Sequence, residues 1–97
     1  MATLDDVCDY VITKASEARM PLNLLKLQKL VYYCQAWHLA NEGHPLFDGK
    51  FQAWVHGPVS RRLYDRFRNS KNLYSMMDLG DRRAGFDGRE LTEDERV

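Results

Sequence analysis

Leu24 to His38, read LLKLQKLVYYCQAWH, is the stretch that most constrains what this chain can become. At about 100° per residue, Leu24, Leu27, Leu30, Val31, Tyr33, Cys34, Trp37, His38 and Ala40 cover well over half of a helix circumference. A surface helix carries one apolar stripe and a broad polar face. This helix is therefore expected to be enclosed by packed neighbours, with only Gln28, Lys29, Tyr32 and Gln35 meeting water.

The 97 residues suffice for one domain and one modest core. Basic and acidic residues balance at 14 each, so no global field draws the chain to nucleic acid or a membrane, and such a partner would need a local patch. No run approaches the roughly 18 apolar residues of a membrane span, and the opening MATLDDVCDY has no basic segment followed by an apolar one. A cytoplasmic protein is expected. Cys8 and Cys34 fall on apolar helix faces and are expected to be buried thiols in a reducing compartment rather than a disulfide.

The elements around the central helix follow in order. Thr3 before Leu4, Asp5 and Asp6 is a helix start, with a hydroxyl cap and carboxylates in the first turn. The first helix is expected over Leu4 to about Arg19, with Val7, Cys8, Val11, Ile12 and Ala15 inward and Asp5, Asp6 and Asp9 on the water side. Met20 and Pro21 end it, and Asn23 is placed to cap the central helix. Gly43 supplies a left-handed C-terminal cap for that helix, and Pro45 prevents its resumption. Leu46-Phe47 and Phe51 to Val55 on either side of Asp48-Gly49 predict a short hairpin. His56, Gly57 and Pro58 form a break, and Val59, Leu63, Tyr64 and Phe67 predict a third helix with Pro58 in its first turn.

That third helix is basic. From Lys50 to Lys71 stand Lys50, Arg61, Arg62, Arg66, Arg68 and Lys71 against Asp65 alone. Leu73, Tyr74, Met76, Met77 and Leu79 have the character to cover a core. Residues 78–90, with Gly80, Gly85 and Gly88 among mixed charges, read as a loop. Leu91, Thr92 and Glu95 then form a capping-box signature. The expectation is a mainly α fold: a small helical domain of residues 1–97 around a central buried helix, with a short two-stranded hairpin and without its C-terminal helix.

Chemistry is sparsely signalled. Cys34 and His38 are four apart on one helical face, and Cys8 with His56 would complete four ligands, but no paired-ligand motif supports zinc, and His38 hydrogen-bonded inside a core is the simpler account. A thiol in an apolar helix has a raised pKa and poor access, so Cys34 is a weak nucleophile. With no phosphate loop and no nucleophile elbow either, neither an enzyme nor a bound cofactor or metal is expected. Arg61, Arg62, Arg66 and Arg68 interleaved with Tyr64 suit a phosphate backbone or an acidic protein surface, and their stems also suit a solvated face. Trp54, His56, Gly57 and Pro58 read as a buried tryptophan ending a strand, followed by a turn.

Taken together, Leu25-Lys26-Leu27-Gln28-Lys29-Leu30-Val31-Tyr32-Tyr33-Cys34-Gln35-Ala36-Trp37-His38, then Gly43, Pro45-Leu46-Phe47, Phe51 to Val59 and Leu63-Tyr64 resemble the Panacea antitoxin domain, the SocA-like family that includes phage-associated GepA-like proteins. The likeness runs from the first helix to about Phe67. It implies a bacterial or phage-encoded helical domain that neutralises a cognate protein toxin by binding it, and for some members delivery of that toxin to a cytosolic AAA+ protease. On this reading Trp54, His56, Gly57 and Pro58 are the turn and its core anchor, and Arg61, Arg62, Tyr64, Arg66 and Arg68 face the partner. A DNA-binding regulator using residues 59–68 is the alternative.

Overall fold

The computed structural model describes residues 2–55, 57–72, 74–84 and 86. The elements are α1 (Leu4–Glu17), α2 (Leu24–Glu42), β1 (Gln52–Trp54), β2 (Gly57–Val59), α3 (Arg61–Phe67) and a short 3-10 turn at Leu79–Asp81. The fold is mainly helical with one two-stranded antiparallel hairpin. The expected helix start at Thr92 lies outside the described residues, as do His56, Leu73, Gly85 and Gly88.

Local chemistry sets the helix ends. The Thr3 hydroxyl accepts from the Asp6 amide and the Asp6 carboxylate accepts from the Thr3 amide, each at 3.1 Å, a reciprocal cap on α1. The Asn23 side chain accepts from the Lys26 amide at 2.8 Å to start α2. Gly43 ends α2 at φ 78, a left-handed conformation that glycine adopts without a Cβ penalty. Beyond α3, residues 75–77 run antiparallel to 22–24, with Leu24 N–H donating to Ser75 O and Met77 N–H to Leu22 O.

The core gathers Val7, Cys8, Val11, Ile12 and Ala15 from α1, Leu24, Leu27 and Val31 from α2, Leu46 and Phe47 from the following loop, Leu63 and Phe67 from α3, and Met77. Of the residues expected to cover the core near the end of the chain, Tyr74, Met76 and Leu79 are instead exposed.

Two expectations about α2 are overturned. Gln28 is fully buried: its amide nitrogen donates to Ser60 O at 3.1 Å and its amide oxygen accepts from Ser60 N at 2.9 Å. Gln35, two turns on, accepts from the Leu46 and Phe47 amides at 2.9 and 3.2 Å and donates to Phe47 O at 2.8 Å. A carboxamide carries both a donor and an acceptor, so it can replace a strand partner for an irregular backbone that must be buried. The supposed wet strip is thus the clamp that holds the 46–47 loop and the β2–α3 junction. Conversely, Tyr33 and Trp37 are 61% and 53% exposed, so the described residues do not enclose α2 on every side.

The hairpin is also displaced from its expected place. Its register pairs Gln52 with Val59, Ala53 with Pro58 and Trp54 with Gly57, so the chain reverses between Trp54 and Gly57 rather than at Asp48-Gly49. Leu46 and Phe47 cannot serve as a strand because Gln35 already takes their backbone groups and Phe47 plugs the core. Pro58 accordingly lies in β2, and α3 begins after Ser60, whose hydroxyl accepts from the Leu63 amide at 3.2 Å. Gly57 has φ 127, a backbone conformation that L side chains rarely adopt, which is the reason for glycine at this position; the nearest atom to an added Cβ would be Lys29 Cε at 3.2 Å, the end of a flexible chain that can shift.

Candidate partner-binding surface

The hairpin and α3 meet on an aromatic contact. Trp54 packs edge-to-face on Tyr64 with ring centroids 5.1 Å apart, and its indole N–H donates to Gln52 Oε1 at 2.9 Å. The Arg61 guanidinium lies 5.9 Å from the Tyr64 ring centroid. Val55, at the hairpin tip, is 98% exposed. Trp54, expected as a buried anchor, is half-buried and outside the core cluster. The indole covers Tyr64 instead of joining the core cluster.

The α3 arginines divide into two groups. Arg61, Arg62 and Arg68 are exposed, with Arg61 and Arg68 at 3.4 and 3.6 Å from Asp65 and Arg62 at 3.5 Å from Asp5. Arg66, expected on the partner face, is turned inward. It reaches Asp5 at 3.0 Å, Asp9 at 2.7 Å and the Asp81 carbonyl at 3.1 Å. Lys71 is likewise engaged, with Asp81 at 3.3 Å and the Met76 carbonyl at 2.7 Å. Three of the six basic residues between Lys50 and Lys71, namely Arg62, Arg66 and Lys71, are therefore met by carboxylates from other segments, while Arg61 and Arg68 share Asp65.

The residues that sequence reasoning passed over are those carboxylates and Arg83. Asp9 has no side-chain exposure and lies between two guanidinium groups, Arg66 Nη2 at 2.7 Å and Arg83 Nε at 2.6 Å. Arg83 also reaches Asp6 at 2.7 Å, and Arg82 donates to the Thr13 hydroxyl at 3.2 Å. Burial pushes the Asp6 carboxyl up, but the Arg83 hydrogen bond, the Thr3 cap and the Arg83 charge together outweigh it and hold the group below its ordinary value. A usable signal was present. Asp5, Asp6 and Asp9 are like charges at three- and four-residue spacing, which destabilises an isolated helix unless cations arrive from elsewhere.

Neither thiol is placed to be a ready nucleophile. Burial pushes the Cys8 thiol up to about 12 and raises that of Cys34. His38 is buried and donates from Nδ1 to the His44 carbonyl at 3.0 Å, the arrangement set against a zinc role. Among the described residues, no three His, Cys, Asp or Glu side chains are placed to hold a metal ion. No described helix is long and apolar enough to cross a membrane.

With this geometry in place, comparison with known proteins gives a family. Residues 27–95 match the family described as Antitoxin SocA-like, Panacea domain. Antitoxin SocA of Caulobacter vibrioides (strain NA1000 / CB15N) is 38% identical over 61 residues, which is 63% of this chain and 32% of that protein. The chain thus spans about a third of the length of the curated relative it matches. No solved structure matches.

Proposed function

Because the chain belongs to the SocA-like, Panacea-domain antitoxin family, we propose that it is a cytosolic antitoxin that neutralises a cognate protein toxin by direct binding and without catalysis. The contact surface is the exposed patch where the hairpin tip meets α3: Val55, Trp54, Tyr64 and Arg61, bordered by Arg62 and Arg68. The observation that carries this reading is the Trp54–Tyr64–Arg61 stack beside a fully exposed valine. Aromatic residues and arginine are the commonest interface anchors, and their packing here is already set before a partner arrives. Strand β2, Gly57–Val59, leads directly into α3 through Ser60, and Arg66 ties α3 to α1.

Carboxylates stand within 3.6 Å of each α3 arginine, which favours a protein partner over a DNA backbone. Nucleic acid would have to compete with those pairs for every phosphate contact. Presentation of the toxin to a AAA+ protease rests on the family resemblance, and its readout is separate: the toxin's half-life in cells with and without this chain.

The test is co-expression with the protein encoded beside it, followed by affinity capture and a growth assay. A stoichiometric complex that restores growth is expected, and Arg61→Ala or Tyr64→Ala should cost about 1 to 2 kcal/mol of binding. A salt-dependent shift of promoter DNA without toxin capture would overturn this in favour of the regulator.

A further inference from the structure

The largest unexplained feature is the open side of α2. Tyr10 and Met20 stand along a groove floored by Leu30 and Cys34. The same floor continues as a shallow, open apolar trough along α2 between Leu30, Tyr33, Cys34, Ala36 and Trp37. Positions 30, 33, 34 and 37 form the spacing of a helix-pairing stripe. On a helical projection this stripe is opposite Gln28, the residue that holds the β2–α3 junction, so it is separate from the proposed toxin surface.

Charge placement says what fits there. Unlike α1, α2 has no acidic residue in its first turn and no basic residue in its last. Lys26 lies on the stripe one turn before Leu30, and no ion pair holds it among the described residues. Asn41 lies one turn after Trp37 and uses its amide N–H₂ on the Trp37 carbonyl at 2.8 Å, leaving its oxygen as an acceptor. We infer that the trough seats a second copy of this chain, the two α2 helices packing antiparallel about a two-fold axis near Tyr33 and Cys34. That pairing lays each Leu30 against the other copy's Trp37. It also brings each Lys26 to the other copy's Asn41 and to the carbonyl end of its α2, where a cation is favoured and the last turn of the helix itself carries none. A parallel pairing would put like ends together.

The area fixes the strength. Two half-exposed aromatic residues with their aliphatic neighbours offer roughly 400 to 500 Å² per copy, so the total lies below the 1,200 to 2,000 Å² of stable complexes. An interface of that size makes a weak, reversible dimer rather than a permanent one. It leaves both toxin surfaces facing outward.

Sedimentation velocity over about 5 to 300 μM chain tests this. The wild-type chain should shift from monomer to dimer across that range. Trp37→Glu and Tyr33→Lys should raise the dissociation constant at least tenfold with an unchanged far-ultraviolet dichroism spectrum, and Lys26→Glu should raise it several-fold; both aromatic positions are exposed, so at least one variant retains the fold. A wild-type chain that stays monomeric throughout overturns the inference, as does a Trp37→Glu chain that dimerises like wild type. So does a monomer whose Trp37 becomes protected only when toxin is added, which would assign the trough to a toxin helix.

Discussion

The polar side of α1 and the apolar side of α2 have exchanged the places their composition suggests. Asp6 and Asp9 are buried at 8% and 0% exposure, while Tyr33 and Trp37 stand more than half exposed. The difference lies in what each side meets. The α1 carboxylates meet guanidinium groups from α3 and from residue 83, geometry good enough to offset the cost of removing charge from water. The α2 aromatics meet nothing comparable among the described residues. One side is thus engaged in folding contacts, and the other stays exposed among the described residues.

Substitutions sharpen the contrast, beginning with the greatest loss. Asp9→Ala leaves Arg66 and Arg83 facing a gap and should lower the unfolding free energy by about 3 kcal/mol, measured by urea denaturation. Gln28→Ala strips both bonds from the buried Ser60 backbone and should cost about 2 kcal/mol by the same measurement. Trp54→Ala, removing a half-buried ring that opens no core cavity, should cost about 1 kcal/mol of stability but weaken toxin capture more strongly. Trp37→Glu should leave the unfolding free energy within about 0.5 kcal/mol of wild type. Equal losses from Asp9→Ala and Trp37→Glu would erase the distinction between the two sides.

Acid provides a further probe of the polar side. Because the Asp6 carboxyl titrates in the folded chain below its ordinary value of 3.8, the folded state binds fewer protons than the unfolded one near that pH. The stability it contributes is present in full above that range and is lost as pH falls through the folded value. Thermal melts should therefore be little changed between about pH 7 and 5 on this group's account and decline below about pH 4. Arg83→Ala should make that decline shallower.

Much of this arrangement was legible in the chain. Thr3, Asn23 and Gly43 mark helix ends through short-range hydrogen bonds and backbone conformation, and those rules need only neighbouring residues. The presence of a hairpin and a third helix was legible for the same reason. What escaped were contacts across long separations. Gln28 and Gln35 look polar in any local window, and only the fold shows that Ser60 and the 46–47 backbone need their amides. Asp48-Gly49 is a sound turn signal that lost to the burial of Phe47. At the candidate site, Arg61, Arg62, Arg68 and Tyr64 were legible as a basic and aromatic face. Arg66 could not be told apart from them, because Asp5 and Asp9 lie more than fifty residues away in sequence and adjacent in space.

Arg61 and Arg66 share one helix and one side-chain chemistry, so they offer the most direct test of how folding and binding are divided. Urea denaturation of Arg61→Ala and Arg66→Ala should be run side by side. Arg66→Ala should lose about 2 to 3 kcal/mol, because its partner Asp9 is buried, and Arg61→Ala should stay within about 0.5 kcal/mol, because its pair with Asp65 is in water. Equal losses, or a larger loss from Arg61→Ala, would contradict the account.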